Sequence, residues 1–160
     1  HELPTSAQFS NFAFISDFRS IPGEIWLNPQ ASSYIHSLSK TNDDIRVNYT
    51  INLATIRQEP GNILKFHEDR NNNIWIVTTS GIIIKPEKKE IIQLTFSIEA
   101  ITGIIEDEKG DNWISSNNKG LFKLPPFDKF RESELLNYTS ENSAYKSSQI
   151  TALCADLNHN

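Results

Sequence analysis

The chain has 160 residues, with 15 basic against 20 acidic side chains and a formal charge of −5. One domain of this length can bury a real core, while the acidic balance leaves no basic face for nucleic-acid phosphates. No apolar run approaches the ~18 residues of a membrane span, and a single cysteine excludes an internal disulfide framework or a cysteine-built zinc site.

The absence of Met and the opening His1-Glu2-Leu3-Pro4 predict a processed chain or a piece of something larger. Self-similarity organises the rest. Phe12-Ala13-Phe14-Ile15-Ser16-Asp17 is an apolar lead-in ending in Asp; Pro22-Gly23 then sits in an enlarged turn before Glu24-Ile25-Trp26-Leu27. The lead-in returns at Ile63-Leu64-Lys65-Phe66, followed by Glu68-Asp69, a polar turn and Ile74-Trp75-Ile76. It returns again at Ile101-Thr102-Gly103-Ile104, followed by Glu106-Asp107, a polar turn and Asn112-Trp113-Ile114. Asp69 and Asp107 each precede their Trp by six positions, and Trp75 and Trp113 lie 38 apart. Downstream, Gly81-Ile82-Ile83-Ile84-Lys85-Pro86 matches Gly120-Leu121-Phe122-Lys123-Leu124-Pro125. A last lead-in runs from Ile150 to Asp156.

Ile-rich runs of this length between Asn, Gly, Asp and Pro clusters are strands. Four of them in about 40 residues make the blade of a β-propeller. The expected fold is all-β, with propeller blades of four antiparallel strands at approximately 12–50 (degenerate), 62–97 and 100–139. Residues 149–160 would supply only the first strand of a fourth blade. Such an incomplete ring exposes edge strands and predicts self-association into a homo-oligomer. Glu132 to Asn137 is the one helical candidate.

Within the unit, Asp69, Asp107 and Asp156 can accept backbone N–H groups in the polar turn. Trp26, Trp75 and Trp113 supply rigid faces that pack sheet on sheet. Gly81 and Gly120 open the third strand, where a tight turn or bulge excludes a Cβ. This is the chemistry of a scaffold.

No catalytic signature stands out. His1, His36, His67 and His159 are scattered, without Cys or carboxylate partners at metal-ligand spacing, so neither a metal nor a cofactor is expected. Asp69-Arg70-Asn71-Asn72-Asn73 has the alternating oxygens of a calcium loop but neither its central Gly nor its distant Glu, and reads as a hairpin turn. Glu68-Asp69 and Glu106-Asp107 recur at one period, which argues for a turn role over an acid pair for glycoside hydrolysis. Cys154, among apolar neighbours, reads as a small buried hydrophobe. Asn48-Tyr49-Thr50 and Asn137-Tyr138-Thr139 match the glycosylation acceptor pattern, but as repeat ends they need no such role. The off-pattern aromatic and amide residues Tyr34, His36, Asn142 and Tyr145 are the candidates for contacting a ligand.

The sequence of lead-in, Glu-Asp, polar turn, Ile-Trp-Ile, Gly and aliphatic run resembles the two-component regulator propeller repeat. Residues 62–97 and 100–139 carry the likeness best. Where that family usually shows Gly-Thr after Trp-Ile, this chain has Val77-Thr78-Thr79 and Ser115-Ser116-Asn117. The resemblance implies the periplasmic sensor region of a Bacteroides-type hybrid two-component histidine kinase. It implies recognition of a glycan or oligosaccharide and signalling through a membrane segment to kinase and phosphorelay modules of the parent chain. The implied partners are that glycan and the remaining blades, with the membrane reached only through the parent chain. Two rivals stand beside this expectation. One is a polysaccharide-acting propeller hydrolase or lyase, disfavoured because such turns often place Asp five rather than six before Trp. The other is a protein-interaction scaffold.

Overall fold

The computed structural model describes residues 12–29, 32–41, 44–56, 59–87, 90–94, 98–131 and 134–154. They form three successive four-stranded antiparallel sheets, with short 3₁₀ turns that include Leu53–Thr55 and Phe127–Lys129. The first sheet holds β1 (Phe12–Asp17), β2 (Glu24–Pro29), β3 (Tyr34–Thr41) and β4 (Asp44–Asn52), paired in that order. The middle sheet holds β5 (Ile63–Glu68), β6 (Ile74–Thr78), β7 (Gly81–Lys85) and β8 (Ile92–Gln93). The last holds β9 (Ile101–Glu106), β10 (Asn112–Ser116), β11 (Gly120–Leu124) and β12 (Leu136–Tyr138). The architecture is all-β, and the three sheets of the described residues close no ring.

Strand periodicity explains the core. Every residue of Ile74–Thr78 is buried, because the middle sheet is covered on both faces. Alternate side chains divide between two joints. Ile74, Ile76 and Ile83 join Phe18, Trp26, Ile35 and Phe66 against the first sheet. Trp75, Val77, Ile82 and Ile84 join Ile104, Ile114, Phe122 and Leu124 against the last. Trp26 meets Phe18, Phe66 and Tyr49 edge-on at centroid distances of 5.2, 6.0 and 6.0 Å, a favourable geometry for ring quadrupoles.

Three local expectations change. The helical candidate Glu132–Asn137 gives way to a strand at its end: Glu134 lies in a 3₁₀ turn and Leu136–Tyr138 pairs with β11, where Leu121 faces Tyr138, while residues 132–133 lie outside the described residues. The open backbone edge of β11 outweighs a weak local helix preference. Cys154 is exposed, since no strand forms over its segment to carry it inward. Residues 149–154 instead run as irregular chain beside the last sheet. There Ile150 N donates to Ser116 O (3.2 Å) and Thr102 Oγ1 donates to Ile150 O (2.6 Å). Asp156 lies outside the described residues.

Candidate functional site at the joint between the middle and last sheets

The polar turn between the first two strands of each sheet is the local device from which the site is built. Asp69 Oδ1 accepts from the backbone N–H groups of Asn71 (3.0 Å) and Asn73 (2.9 Å), and its Oδ2 accepts from Trp75 Nε1 at 2.9 Å. Asp107 repeats this with Lys109 N, Asp111 N and Trp113 Nε1, each at 2.9 Å. The six-residue spacing therefore does two jobs: it closes the turn and satisfies the indole N–H that strand packing would leave unpaired. Burial opposes ionisation of Asp107, but the bonds from Trp113, Asp111 and Lys109 and the charge of Lys123 hold its carboxyl below the ordinary range. The first sheet solves the problem differently. Its Pro22-Gly23 turn is enlarged, and Trp26 Nε1 donates to Glu24 at 2.8 Å.

The acid preceding each Asp reaches backwards to clasp the previous sheet. Glu68 accepts from the backbone N–H groups of Arg19 (2.7 Å) and Ser20 (2.8 Å). Glu106 accepts from Arg70 N at 2.9 Å and pairs with Arg70 Nε at 2.8 Å. The Arg70 guanidinium also donates through Nη2 and Nη1 to the carbonyls of Asp107 and Glu108. Burial lifts the Glu106 carboxyl above its ordinary value, Arg70 opposing this and Asp69 adding to it. For Glu68 burial is outweighed by its bonds from Ser20 and Arg19, so its carboxyl is lowered.

A cleft of about 570 Å³ opens between these clasps, lined by Arg19, His67, Glu68, Arg70, Ile104, Ile105, Glu106 and Glu108. His67 shares the face of β5 that pairs with Trp75 and turns toward the last sheet. Asn112 is fully buried on the face of β10 that carries Ile114, turned toward the middle sheet. The Asn112 amide lies close enough to favour the protonated His67 ring slightly. Burial, then the charges of Lys65 and Arg19, dominate and push its pKa down to about 4.

That shift has a measurable consequence. The folded pKa lies below the ordinary 6.5, so the unfolded chain binds the proton first. Stability is expected to fall as pH drops from about 6.5 toward 4, by up to roughly 3 kcal/mol from this group. Urea unfolding across that range, beside His67→Gln, checks it: the variant should lack this slope, and a parallel slope in both proteins would refute it.

The four residues singled out for ligand contact do not converge. Tyr34 and His36 lie on one face of β3; Tyr34 is exposed, and His36 Nδ1 is 3.0 Å from Thr50 Oγ1. Asn142 follows the last sheet and braces its own loop, accepting from Thr139 N (2.7 Å) and donating to Asn137 O (2.8 Å). Tyr145 is exposed and lines a separate cleft of about 340 Å³ with Trp113, Leu121 and Leu153. Trp26 and Trp75 are fully buried, whereas Trp113 is only half-buried, stacked on Tyr138 at 5.8 Å with Lys123 over its face. His67 and Asn112 escape a reading that looks for recurrence. Their signal is the opposite: aligned on the Asp, His67 stands where the last repeat has Ile105, and Asn112 where the middle repeat has Ile74.

Fold and site together define an all-β protein of successive, clasped four-stranded sheets. No protein-family model matches the chain, and no curated relative matches it. Among solved structures, it is similar to PorZ, an essential bacterial surface component of the type-IX secretion system of Porphyromonas gingivalis. The TM-score is 0.61 at 17% identity, over 91% of this chain and 23% of that one. It is also similar to the extracellular domain of a hybrid two-component system protein from B. thetaiotaomicron. There the TM-score is 0.59 at 18% identity, over 88% of this chain and 17% of that one. At these identities the likeness is one of fold. The chain spans less than a quarter of the length of either structure. No described helix is long and apolar enough to cross a membrane.

Proposed function

We propose that the chain is a run of three β-propeller blades from the periplasmic sensor region of a hybrid two-component system, acting by recognition rather than catalysis. The observation that carries this reading is the fold likeness, over 88% of the chain, to the extracellular domain of such a system. The repeat resemblance on Asp69–Trp75 and Asp107–Trp113 supports it independently. The ligand in this reading is a glycan or oligosaccharide. Its binding biases two arrangements of the sensor region by its differential affinity for them, which is the only way a ligand can drive a switch. Kinase output then follows in the parent chain.

The fold likeness to PorZ favours a second reading, a cell-surface scaffold that binds protein. A thermal-shift screen of the chain against oligosaccharides, beside capture of envelope proteins, separates the two. Stabilisation by one class of oligosaccharide, without its hydrolysis, supports the sensor. Specific capture of an envelope protein with no response to any oligosaccharide overturns the sensor in favour of the scaffold, and turnover of a bound glycan overturns recognition without catalysis.

A further inference from the structure

We infer that β4 is a docking edge for a second copy of this chain, the two strands pairing antiparallel about a two-fold axis at Ile45. The lead-in strands β1, β5 and β9 form one edge of each sheet, and β4, β8 and β12 form the other. An exposed edge strand is a template for pairing, and folded proteins blunt such edges by shortness, proline, lysine or bulges. β8 and β12 follow this rule, with two and three residues. β4 does not: it runs nine residues, Asp44–Asn52, without Pro or Lys. Its bulge lies at Asn48, where Ser37 pairs with Tyr49 and Leu38 with Val47, so Asp44–Val47 keeps an unbroken register.

The side chains of that stretch suit an interface better than a guarded edge. Ile45 is 53% exposed, more than any other large apolar residue among those described. Asp44 and Arg46 flank it, both exposed, and neither forms an ion pair among the described residues. Ile45 N donates to Asp44 Oδ1 at 2.9 Å, which marks its N–H as pointing out of the ladder. In an antiparallel strand the N–H and C=O of one residue point the same way, so the Ile45 carbonyl also faces outward.

One register uses all of these groups. With the axis at Ile45, each Ile45 exchanges its N–H and C=O bonds with Ile45 of the second copy. Asp44 then stands opposite Arg46 of the second copy, and Arg46 opposite its Asp44. These are the adjacent non-hydrogen-bonded pairs, in which side chains approach most closely. The Ile45 N–H passes from its neighbour's carboxylate to a carbonyl, which frees Asp44 for the ion pair. Alternation puts both charge pairs on one face of the joined sheet and both Ile45 side chains on the other. A two-fold interface must be self-complementary, and the order acid, apolar, base around one residue is so. That charge complementarity is what favours a second copy over a foreign strand. Because the sheets stack face to face, a further sheet on either side would leave this edge open, and nothing in the pairing depends on the recognition reading above.

Sedimentation velocity of the 160-residue chain over a concentration series, with charge reversals on β4, tests this. The parent chain should show a monomer–dimer equilibrium. Asp44→Arg and Arg46→Asp each set like charges opposite one another and should raise the dissociation constant at least about tenfold. Mixing the two variants should restore dimers, because each then meets the opposite charges of the other. The double variant Asp44→Arg/Arg46→Asp should dimerise as the parent does. Both positions are exposed, so every variant should keep the parent's Tm, which verifies that it has folded. A parent chain that stays monomeric at every concentration overturns the inference. So does association that survives both reversals, which would place the contact on a sheet face or another edge. Loss in the single variants without recovery in the mixture or the double variant overturns the register at Ile45. Capture of another protein's extended segment by β4, with the chain itself monomeric, assigns the edge to that partner and overturns the second copy.

Discussion

Asp69→Ala is expected to destabilise the chain by about 3–5 kcal/mol, one of the two largest losses predicted for a single substitution here. The carboxylate is 1% exposed and holds two turn N–H groups, the Asn73 amide and the Trp75 indole N–H. Alanine strips all of them of an acceptor. Trp75 is fully buried, so water cannot replace what is lost. Asp107→Ala removes the corresponding turn and indole bonds, with no counterpart of the Asn73 amide to lose, and should cost only about 1–2 kcal/mol, because the half-buried Trp113 can also turn to solvent for an acceptor. Urea unfolding of the two variants at unchanged slope checks the contrast. Equal losses would mean that the two turn N–H groups common to both sites, and not the indole or the Asn73 amide, carry the energy.

Gly120→Ala should be comparably damaging, with a loss above about 3 kcal/mol. Gly120 opens β11 at φ +83°, a left-handed conformation that costs an alanine about 1 kcal/mol before any contact is counted. Its missing Cβ would also stand 2.1 Å from the Tyr138 carbonyl oxygen, so β12 must leave its place against β11. Gly23 isolates the first cost, since it has φ +79° and nothing within 4 Å of its would-be Cβ. Gly23→Ala should therefore lose only about 1 kcal/mol. If calorimetry finds the two variants alike, crowding by β12 is not what demands glycine at 120.

The strand character of the chain was legible because its signals are local. β-branched runs such as Ile82-Ile83-Ile84, ended by Gly, Asn and Pro, need no distant partner to read as strands. The polar-turn role of Asp69 and Asp107 was legible for the same reason, as their bonds to backbone reach only two and four residues ahead. The indole bond six residues on was not, although the spacing recorded it, because nothing in a list of residues says which way an indole N–H points. Leu136 and Asn137, the end of the helical candidate, lie in β12 because the partner strand, β11, supplies what their own propensities lack.

The ligand candidates show the limit most clearly. Tyr34, His36, Asn142 and Tyr145 drew attention as polar or aromatic residues outside the repeat, yet they lie on separate elements, and Asn142 is spent on its own loop. His67 and Asn112 sit inside the repeat, where recurrence disguises them as scaffold. They are visible only as differences between copies, and their meeting depends on which face of β5 and β10 each occupies.

By itself, then, the sequence determined the all-β character, the repeated unit and the turns that punctuate it, since these arise from hydrogen bonds and alternation within a few residues. The tertiary structure alone decided which acid clasps which arginine, which tryptophan is sealed and which buried polar residues meet. The clasps join residues 36 and 49 positions apart. Such pairings follow from how one twisted sheet stacks upon the next, and no spacing along the chain encodes that.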